Sequence, residues 1–468
     1  MVRLQEAVQA DRRVKGVAKM TNHLPIVDSI MARLSQQGLD GYEVYMACST
    51  GLTIEVKDGI IDVFVKSQNA GLSLRVLKEQ KPAFAFSTDV SSKLVPDLIG
   101  QVVHGACATD PDPFVGFPAP RTKRPPQIDQ FDQELIRISI EDKIDRARSL
   151  EATARSSDPR IKKVRKAAYV ETTTTVTICN HMGLNLSYDK TLVSGSIMVV
   201  AEEGEHAEIG WDYGFSPFFD QLDMGLIGTT ASRRAVSMLG ARPVPSTRVS
   251  AVLPPWVASD VLKVLSASFM ADNVQKGKSM LLGRTGEQVF SPPVTIVDDG
   301  LYRNGIASDP FDDEGCFHDR SVLVSQGIVQ GFLYDQYTAN KENRRSTGNA
   351  GRHEIKAPPS VQATNFYIRN GSLDPDELSS SLQEGLLVTD IIGMHTADPI
   401  SGNFSVGAAG LWIKGGEIVF PVKRIAISGN LSDLFSNVDA VGNDLKFYGQ
   451  FGAPSLRIST LNIAGLDA

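Results

Sequence analysis

The stretch ADNVQKGKSMLLGRTGEQV, Ala271 to Val289, contains Gly277-Lys278-Ser279, the closing residues of a phosphate-cradling loop. The full signature needs a further glycine five places earlier, where Asp272 stands, and a buried strand leading into the loop. Instead Val257, Val261, Leu265 and Phe269 recur at every fourth position behind Pro254-Pro255, a helical stripe with a proline start. The segment reads as a helix end followed by a Gly-rich turn. Other chemistry is equally thin. The seven histidines (His23, His104, His181, His206, His318, His353 and His395) are too dispersed for one helix to carry a metal-binding pair. His353-Glu354 starts a zinc-peptidase motif, but Ala357 occupies the second histidine place, so His353 reads as a solvated or hydrogen-bonded loop residue. No Gly-x-Ser-x-Gly elbow is present. The acidic run Asp309-Pro310-Phe311-Asp312-Asp313-Glu314-Gly315 lacks the alternating carboxylates of a calcium loop and is expected to be a charged, turn-rich surface loop.

The elements that must position such residues are more legible. At 468 residues, 42% hydrophobic and 22% charged, the chain has an ordinary globular composition and room for several cores. A net charge of -7 argues against nucleic acid as a partner, because a phosphate backbone rewards clustered Lys and Arg. No apolar run approaches the ~20 residues that span a bilayer. Cys48, Cys107, Cys179 and Cys316 are scattered without a Cys-x-x-Cys pair, which suggests neither a zinc ribbon nor a disulfide framework. The first residues mix Arg12, Arg13 and Lys15 with Glu6 and Asp11 and lack a signal peptide's apolar core. We therefore expect a ragged N-terminus over residues 1–23, with Met20 as an alternative start, and a reducing cytoplasm.

Residues 24–109 read as a first α+β unit. A helix from Leu24 to Gln37 precedes the alternating runs YEVYMAC, GLTIEVK, IIDVFVK, GLSLRVL and PAFAFST, and a helix from about Ser92 to Ala106 follows. Residues 110–132 carry six prolines between Asp110 and Gln127 and are expected to be a linker or an extended wrap. Residues 133–244 repeat the first unit, with helices near Ile140 to Arg155 and Gly225 to Leu239 around long strands. Residues 245–468 are expected to be mostly β and barrel-like. Helices and strands are segregated, so the class is α+β: helix-covered antiparallel sheet units at the N-terminus, then a barrel-like C-terminal domain.

Beyond these patterns, GIASDPFDDEG (305–315), STGNAG (346–351), SGNFSVGAAGLWIKGGEIVFPV (401–422), IAISGNL (425–431), VGNDL (441–445) and FAFSTDVS (84–91) resemble the TldD/PmbA family, once called modulators of DNA gyrase. The likeness runs through nearly the whole chain beyond residue 24. It implies one of two branches: a TldD type carrying His-Glu-x-x-x-His plus a C-terminal cysteine around zinc, or a PmbA/TldE type without them. In the register set by Gly277, Ser279, Gly283, Gly286 and Glu287, the six motif places fall on Leu262-Lys263-Val264-Leu265-Ser266-Ala267. Leu262 and Ala267 have no lone pair for a metal, and Lys263 replaces the water-activating glutamate. Ligands five residues apart lie about 140° around a regular helix, so ligation needs a widened or broken turn. No cysteine follows Gly442-Asn443-Asp444.

The resemblance therefore implies no metal and no catalytic residue in this chain. Zinc is expected in a TldD-type partner, with a homodimer as the state in isolation. The substrates would be unfolded or leader peptides. The Gly-rich stretches at Thr347, Gly348 and Asn349 and at Ser405, Gly407 and Gly410 are the candidate loops for a peptide or partner cleft, unless their glycines only turn strands. Two other readings stand beside this one: a non-enzymatic protein-binding modulator, and a self-sufficient homodimeric hydrolase, which lacks a visible nucleophile–base pair.

Overall fold

The computed structural model describes residues 24–466 apart from 92, 122 and 123. The ragged terminus expected over residues 1–23 lies outside the described residues. From the N-terminal side, α1 (Leu24–Leu34) leads into β1 (Gly41–Lys57), β2 (Ile60–Lys78) and β3 (Lys81–Ser87), then α2 (Val95–Cys107). The pattern recurs as α3 (Ile140–Ser157), β4 (Ile161–Asn180), β5 (Asn185–Glu203), β6 (His206–Ser216) and α4 (Met224–Ser237). Both sets join in one six-stranded antiparallel sheet of order β3-β2-β1-β4-β5-β6, because β1 pairs with β4 from Glu43↔Asn180 to Val56↔Ala167. Period-two patterning explains the strands: alternate residues pack under the helices, while Glu43, Tyr45, Val176 and Ile178 on the other face are buried against the C-terminal half. One core gathers Leu52, Ile54, Tyr169, Val199 and Ile227 under α3 and α4; a second gathers Val27, Val44, Leu74 and Val102 under α1 and α2.

Between the two repeats the described part of the Pro-rich segment has no regular structure and wraps the sheet. Its backbone is tied down by Asp112 N–H to Gln80 O (2.8 Å), by Asn180 Nδ2 to Pro118 O (2.8 Å) and by Thr191 N–H to Gln130 O (2.8 Å).

The C-terminal half begins with β7 (Thr247–Leu253), α5 (Pro255–Ser266) and α6 (Ala271–Gln275). It continues through β8 (Ile296–Asp299), β9 (Arg320–Ser325), β10 (Ile328–Val329), α7 (Gln336–Lys341), β11 (Ala350–Gly351), β12 (Ser360–Val361), β13 (Phe366–Ile368) and α8 (Pro375–Ser380). It ends with β14 (Glu384–Ile392), β15 (Asn403–Lys414), β16 (Glu417–Asn430), α9 (Leu431–Ser436), β17 (Val438–Val441), β18 (Lys446–Tyr448), β19 (Phe451–Ala453) and β20 (Leu456–Ala464). Strands β16, β15, β14, β7 and β20 form a sheet that closes on itself through β16–β20 pairing, making a five-stranded barrel. A second sheet has the order β10-β9-β8-β13-β19-β18, and its edge strand β18 meets the N-terminal half through Lys446–Asp212 and Tyr448–Arg234. The fold is α+β, with the helix-covered antiparallel sheet and the barrel expected from the sequence.

Two local expectations fail. The run Asp309–Gly315 is no surface loop: Asp312 is 3% exposed and Glu314 1%. Burial is possible because the N-terminal sheet brings Lys190 and Arg75, both distant in sequence, to within 2.9 Å of Asp309 and 2.7 Å of Glu314. The second failure concerns Ser405 to Gly410, which are not a loop. They lie inside β15, and a Cβ on Gly410 would sit 2.5 Å from the Leu387 carbonyl oxygen, so close strand approach accounts for that glycine.

Candidate functional site

Helix α5 has two chemically different faces. Val257, Val261, Leu262, Leu265 and, just beyond, Phe269 are buried in the barrel-side core, as their spacing requires. Trp256, Ser259, Asp260, Lys263 and Ser266, at helical spacing on the other side, line a cleft of about 620 Å³. Its opposite wall is the helix-free face of the N-terminal sheet, through Trp211 and Tyr213 of β6, and its rim is Tyr448 to Phe451 between β18 and β19. The helix starts at Pro255 with Pro254 as cap and ends at Ser266, where a 3-10 turn over Ala267–Phe269 takes over.

Aromatic rings dominate this cleft. Trp211 and Tyr213 stack with centroids 6.5 Å apart, and Tyr448 meets Tyr213 edge-on at 5.5 Å. Arg234 of α4 fixes the geometry. Its guanidinium lies 3.7 Å from the Trp256 ring centre, donates to Trp211 O (2.8 Å) and Tyr448 Oη (2.9 Å), and pairs with the buried Asp212 at 3.2 Å. Cation–π and charge-assisted contacts of this kind are directional, so they set the spacing between the two halves. Such a surface suits apolar and aromatic side chains of an extended chain.

Gln362, Ala363 and Gln450 line this cleft and also a second chamber of about 320 Å³, so the two adjoin. The second chamber is polar. Behind the lining residues Thr364 and Asn349, Asp298, 1% exposed, accepts hydrogen bonds from Thr364 N–H, Thr364 Oγ1 and Asn349 Nδ2, each at 2.7 Å. Burial outweighs those bonds and pushes its carboxyl up to about 6. Burial likewise raises Asp309, Asp312 and Asp313, and it lowers the His318 imidazole to about 4. Arg352 joins the groups: it donates from Nη2 to Glu43 Oε1 (2.7 Å) and from its backbone N–H to Asp313 Oδ2 (2.7 Å) and stacks 4.5 Å over Tyr45.

Of the residues singled out by sequence, Asn349 belongs to this polar chamber. Thr347 Oγ1 donates to Asn349 Oδ1 (2.7 Å), and Gly348 has φ 76° with the Phe317 carbonyl where a Cβ would need room. Ser405, Gly407 and Gly410 line neither cleft. His353 is exposed and borders the aromatic cleft. The sequence reading missed Trp211, Tyr213, Trp256 and Tyr448. The readable sign was Trp211-x-Tyr213-x-Phe215, three aromatics on one face of a strand.

A repeated helix–sheet half docked on a barrel half, with a groove between them, is the architecture of proteins described as modulators of DNA gyrase. A Thermotoga maritima protein described as a candidate modulator of a DNA gyrase superposes with a TM-score of 0.87 at 25% identity, covering 95% of this chain and all of that one. TldE from Thermococcus kodakarensis gives a TM-score of 0.87 at 21% identity, over 94% of this chain and all of that one. Family descriptions match in order: PmbA/TldA metallopeptidase domain 1 at residues 42–106, the central domain at 133–239 and the C-terminal domain at 246–465. The chain belongs to the PmbA/TldD metallopeptidase family. Among its relatives, metalloprotease PmbA of Escherichia coli O157:H7 is 27% identical, covering 91% of this chain and 92% of that protein. The metalloprotease TldD homolog of Haemophilus influenzae is 26% identical, covering 93% and 95% respectively.

A metal is implied by that family description, but the donor set along α5 does not fit one. Leu262 is fully buried among apolar neighbours, Ala267 offers no donor and Lys263 brings a positive charge. Among the described residues no three His, Cys, Asp or Glu side chains are grouped to hold a metal ion.

Proposed function

We infer that this chain is the TldE/PmbA-type, metal-free subunit of a hetero-oligomeric zinc peptidase acting in the cytoplasm on unfolded or leader peptides. A TldD-type partner supplies the zinc and the base that activates water; this chain supplies an aromatic groove for part of the peptide. The observation that carries the reading is the two-faced helix α5. Its places at the zinc-motif register are a core leucine and an alanine, while the adjoining face opens on rings suited to an extended chain. The relatives called metalloprotease, PmbA and TldD alike, support the peptidase setting. No helix among the described residues is long and apolar enough to cross a membrane. Asn349, held by Thr347 and set by the turn at Gly348, backs the groove from the polar chamber, and Ser405 and Gly407 on β15 are assigned to the partner side, whereas Gly410 is enclosed between strands.

Mixing the purified chain with its TldD-type counterpart tests this reading. The expected result is a zinc-free, inactive chain that forms a stoichiometric complex, with cleavage of an unfolded peptide appearing only in the mixture. Stoichiometric zinc in the chain alone, or cleavage that survives mutation of the partner's histidines, would refute it.

A further inference from the structure

Away from the groove, a third cavity of about 440 Å³ sits where β2 and β3, the proline-rich wrap, α6, α7 and the segment before β12 converge. Phe84, Val115, Phe117 and Pro359 give it apolar walls. Its volume lies in the range of small-molecule sites, and apolar walls with one or two polar groups are their usual composition.

The polar part of the lining includes Arg75, Gln275, Glu314 and Asp335, and Asp335 is 5% exposed. It caps α7: its Oδ1 accepts from Thr338 N–H (2.8 Å) and Thr338 Oγ1 (2.6 Å). No described residue donates to Oδ2. Neighbouring charges leave this oxygen uncompensated. Glu314 in the same wall is taken by Arg75 (2.7 Å) and by the Gln336 N–H (2.9 Å). Arg75 divides itself between Glu314 and Glu43, and Arg352 is held by Glu43 and Asp313. The exposed Lys276 and Lys341 stand at the mouth, Lys276 paired with Asp272 (3.2 Å) and Lys341 lying 4.3 Å over the Tyr337 ring. Oδ2 keeps accessible surface, so it stands as a free acceptor for a cation or donor carried by a ligand.

We propose that this cavity binds a small aromatic amine, its ring against Phe84, Phe117 and Pro359 and its ammonium on Asp335 Oδ2. The site is independent of the peptidase reading, since none of its walls belongs to the aromatic cleft except Val361 at the margin. Ligand bound there would touch both halves of the molecule at once.

Calorimetric titration of the purified full-length chain with phenethylamine, and with 2-phenylethanol as its uncharged counterpart, tests the proposal. The expected result is saturable one-to-one binding of the amine, at least ~10-fold tighter than the alcohol, as a charge-assisted hydrogen bond provides. Asp335→Asn keeps a competent helix cap and should bring the two ligands within about threefold of each other. Val115→Trp fills the cavity and should abolish both; should that variant fail to fold, Phe84→Ala should weaken both alike. No saturable binding of the amine to the wild-type chain, equal affinities in the wild type, or an undiminished preference in Asp335→Asn would each overturn it.

Discussion

The barrel-side core and the seam between the two halves are built on opposite physics. The core packs Leu262, Leu265, Phe269, Phe366 and Val388, all without exposed surface, and needs no specific partner for any of them. The seam is ionic. Arg75–Glu314, Arg352–Glu43 and Lys190–Asp309 are pairs 2.7–2.8 Å long that join residues from the two halves, and Lys423–Glu208 and Lys446–Asp212 continue the row beside the groove. Apolar burial supplies most of the stability, because it is roughly additive and tolerates imperfect geometry. Buried ion pairs are satisfied only in one arrangement, so they fix how the halves sit and therefore how wide the groove is. Apolar burial thus stabilises both regions, and the ion pairs at the seam add a fixed docking geometry.

Breaking the seam should cost the most. Arg352→Met leaves Glu43 with Arg75 as its remaining guanidinium and removes the positive charge beside Asp313, and we expect a loss of about 3–5 kcal/mol in a denaturant titration. A loss below about 1 kcal/mol would show that water replaces the guanidinium and that the seam is not dry.

The core is probed by the double substitution Leu262→His and Ala267→His. Polar imidazole in place of a fully buried leucine should destabilise by about 2–5 kcal/mol. It should create no peptidase in the isolated chain, because the third ligand and the base are still missing. Robust peptide hydrolysis by that variant would show that the register at Leu262 is wrong.

Proton linkage probes the polar chamber. Asp298 rises from 3.8 to about 6 on folding, so between those values only the native state holds the proton and stability falls as pH rises. His318 drops from 6.5 to about 4, so in nearly the same window only the unfolded state holds its proton and stability rises with pH. Each effect amounts to about 3 kcal/mol and they oppose each other. Relative to the wild type, Asp298→Asn should therefore lose more stability as pH falls from 6 to 4, and His318→Gln should lose less. Unfolding midpoints measured at steps of pH decide it; slopes unchanged from the wild type in both variants would remove the chamber from the account.

At the groove, Trp256→Leu removes the ring over Arg234 and the Nε1 hydrogen bond to Thr389 O, for an expected loss of about 1–2 kcal/mol. Peptide affinity should fall as well, read by fluorescence anisotropy with a labelled unfolded peptide. Smallest of all, Ser405→Ala on the exposed side of β15 should change stability by no more than about 0.5 kcal/mol. Its assigned place at the partner surface is lost if complex formation with the TldD-type subunit is also unchanged.

Much of the architecture was legible in residue patterns. Val257, Val261, Leu265 and Phe269 announced the buried stripe of α5, and the alternating runs from Tyr42 onward announced the strands of the N-terminal sheet. The pairing of β1 with β4 was not legible, since period-two alternation says which face a residue occupies but not which strand lies beside it. The candidate site was legible only in its deficits. The aromatic residues that line it come from positions as distant as Trp211 and Tyr448, and separation of that size leaves no local pattern.

Two outcomes therefore have different owners. That helix α5 holds no metal donors at Leu262 and Ala267 follows from side-chain composition, because no fold can give a leucine or an alanine a lone pair. That Asp312 and Glu314 are buried and Asp309 is mostly shielded rather than solvated was decided by tertiary structure alone. A carboxylate pays its desolvation only where a cation or a set of N–H groups arrives, and here those arrive from Lys190, Arg75 and Ala350 across the fold.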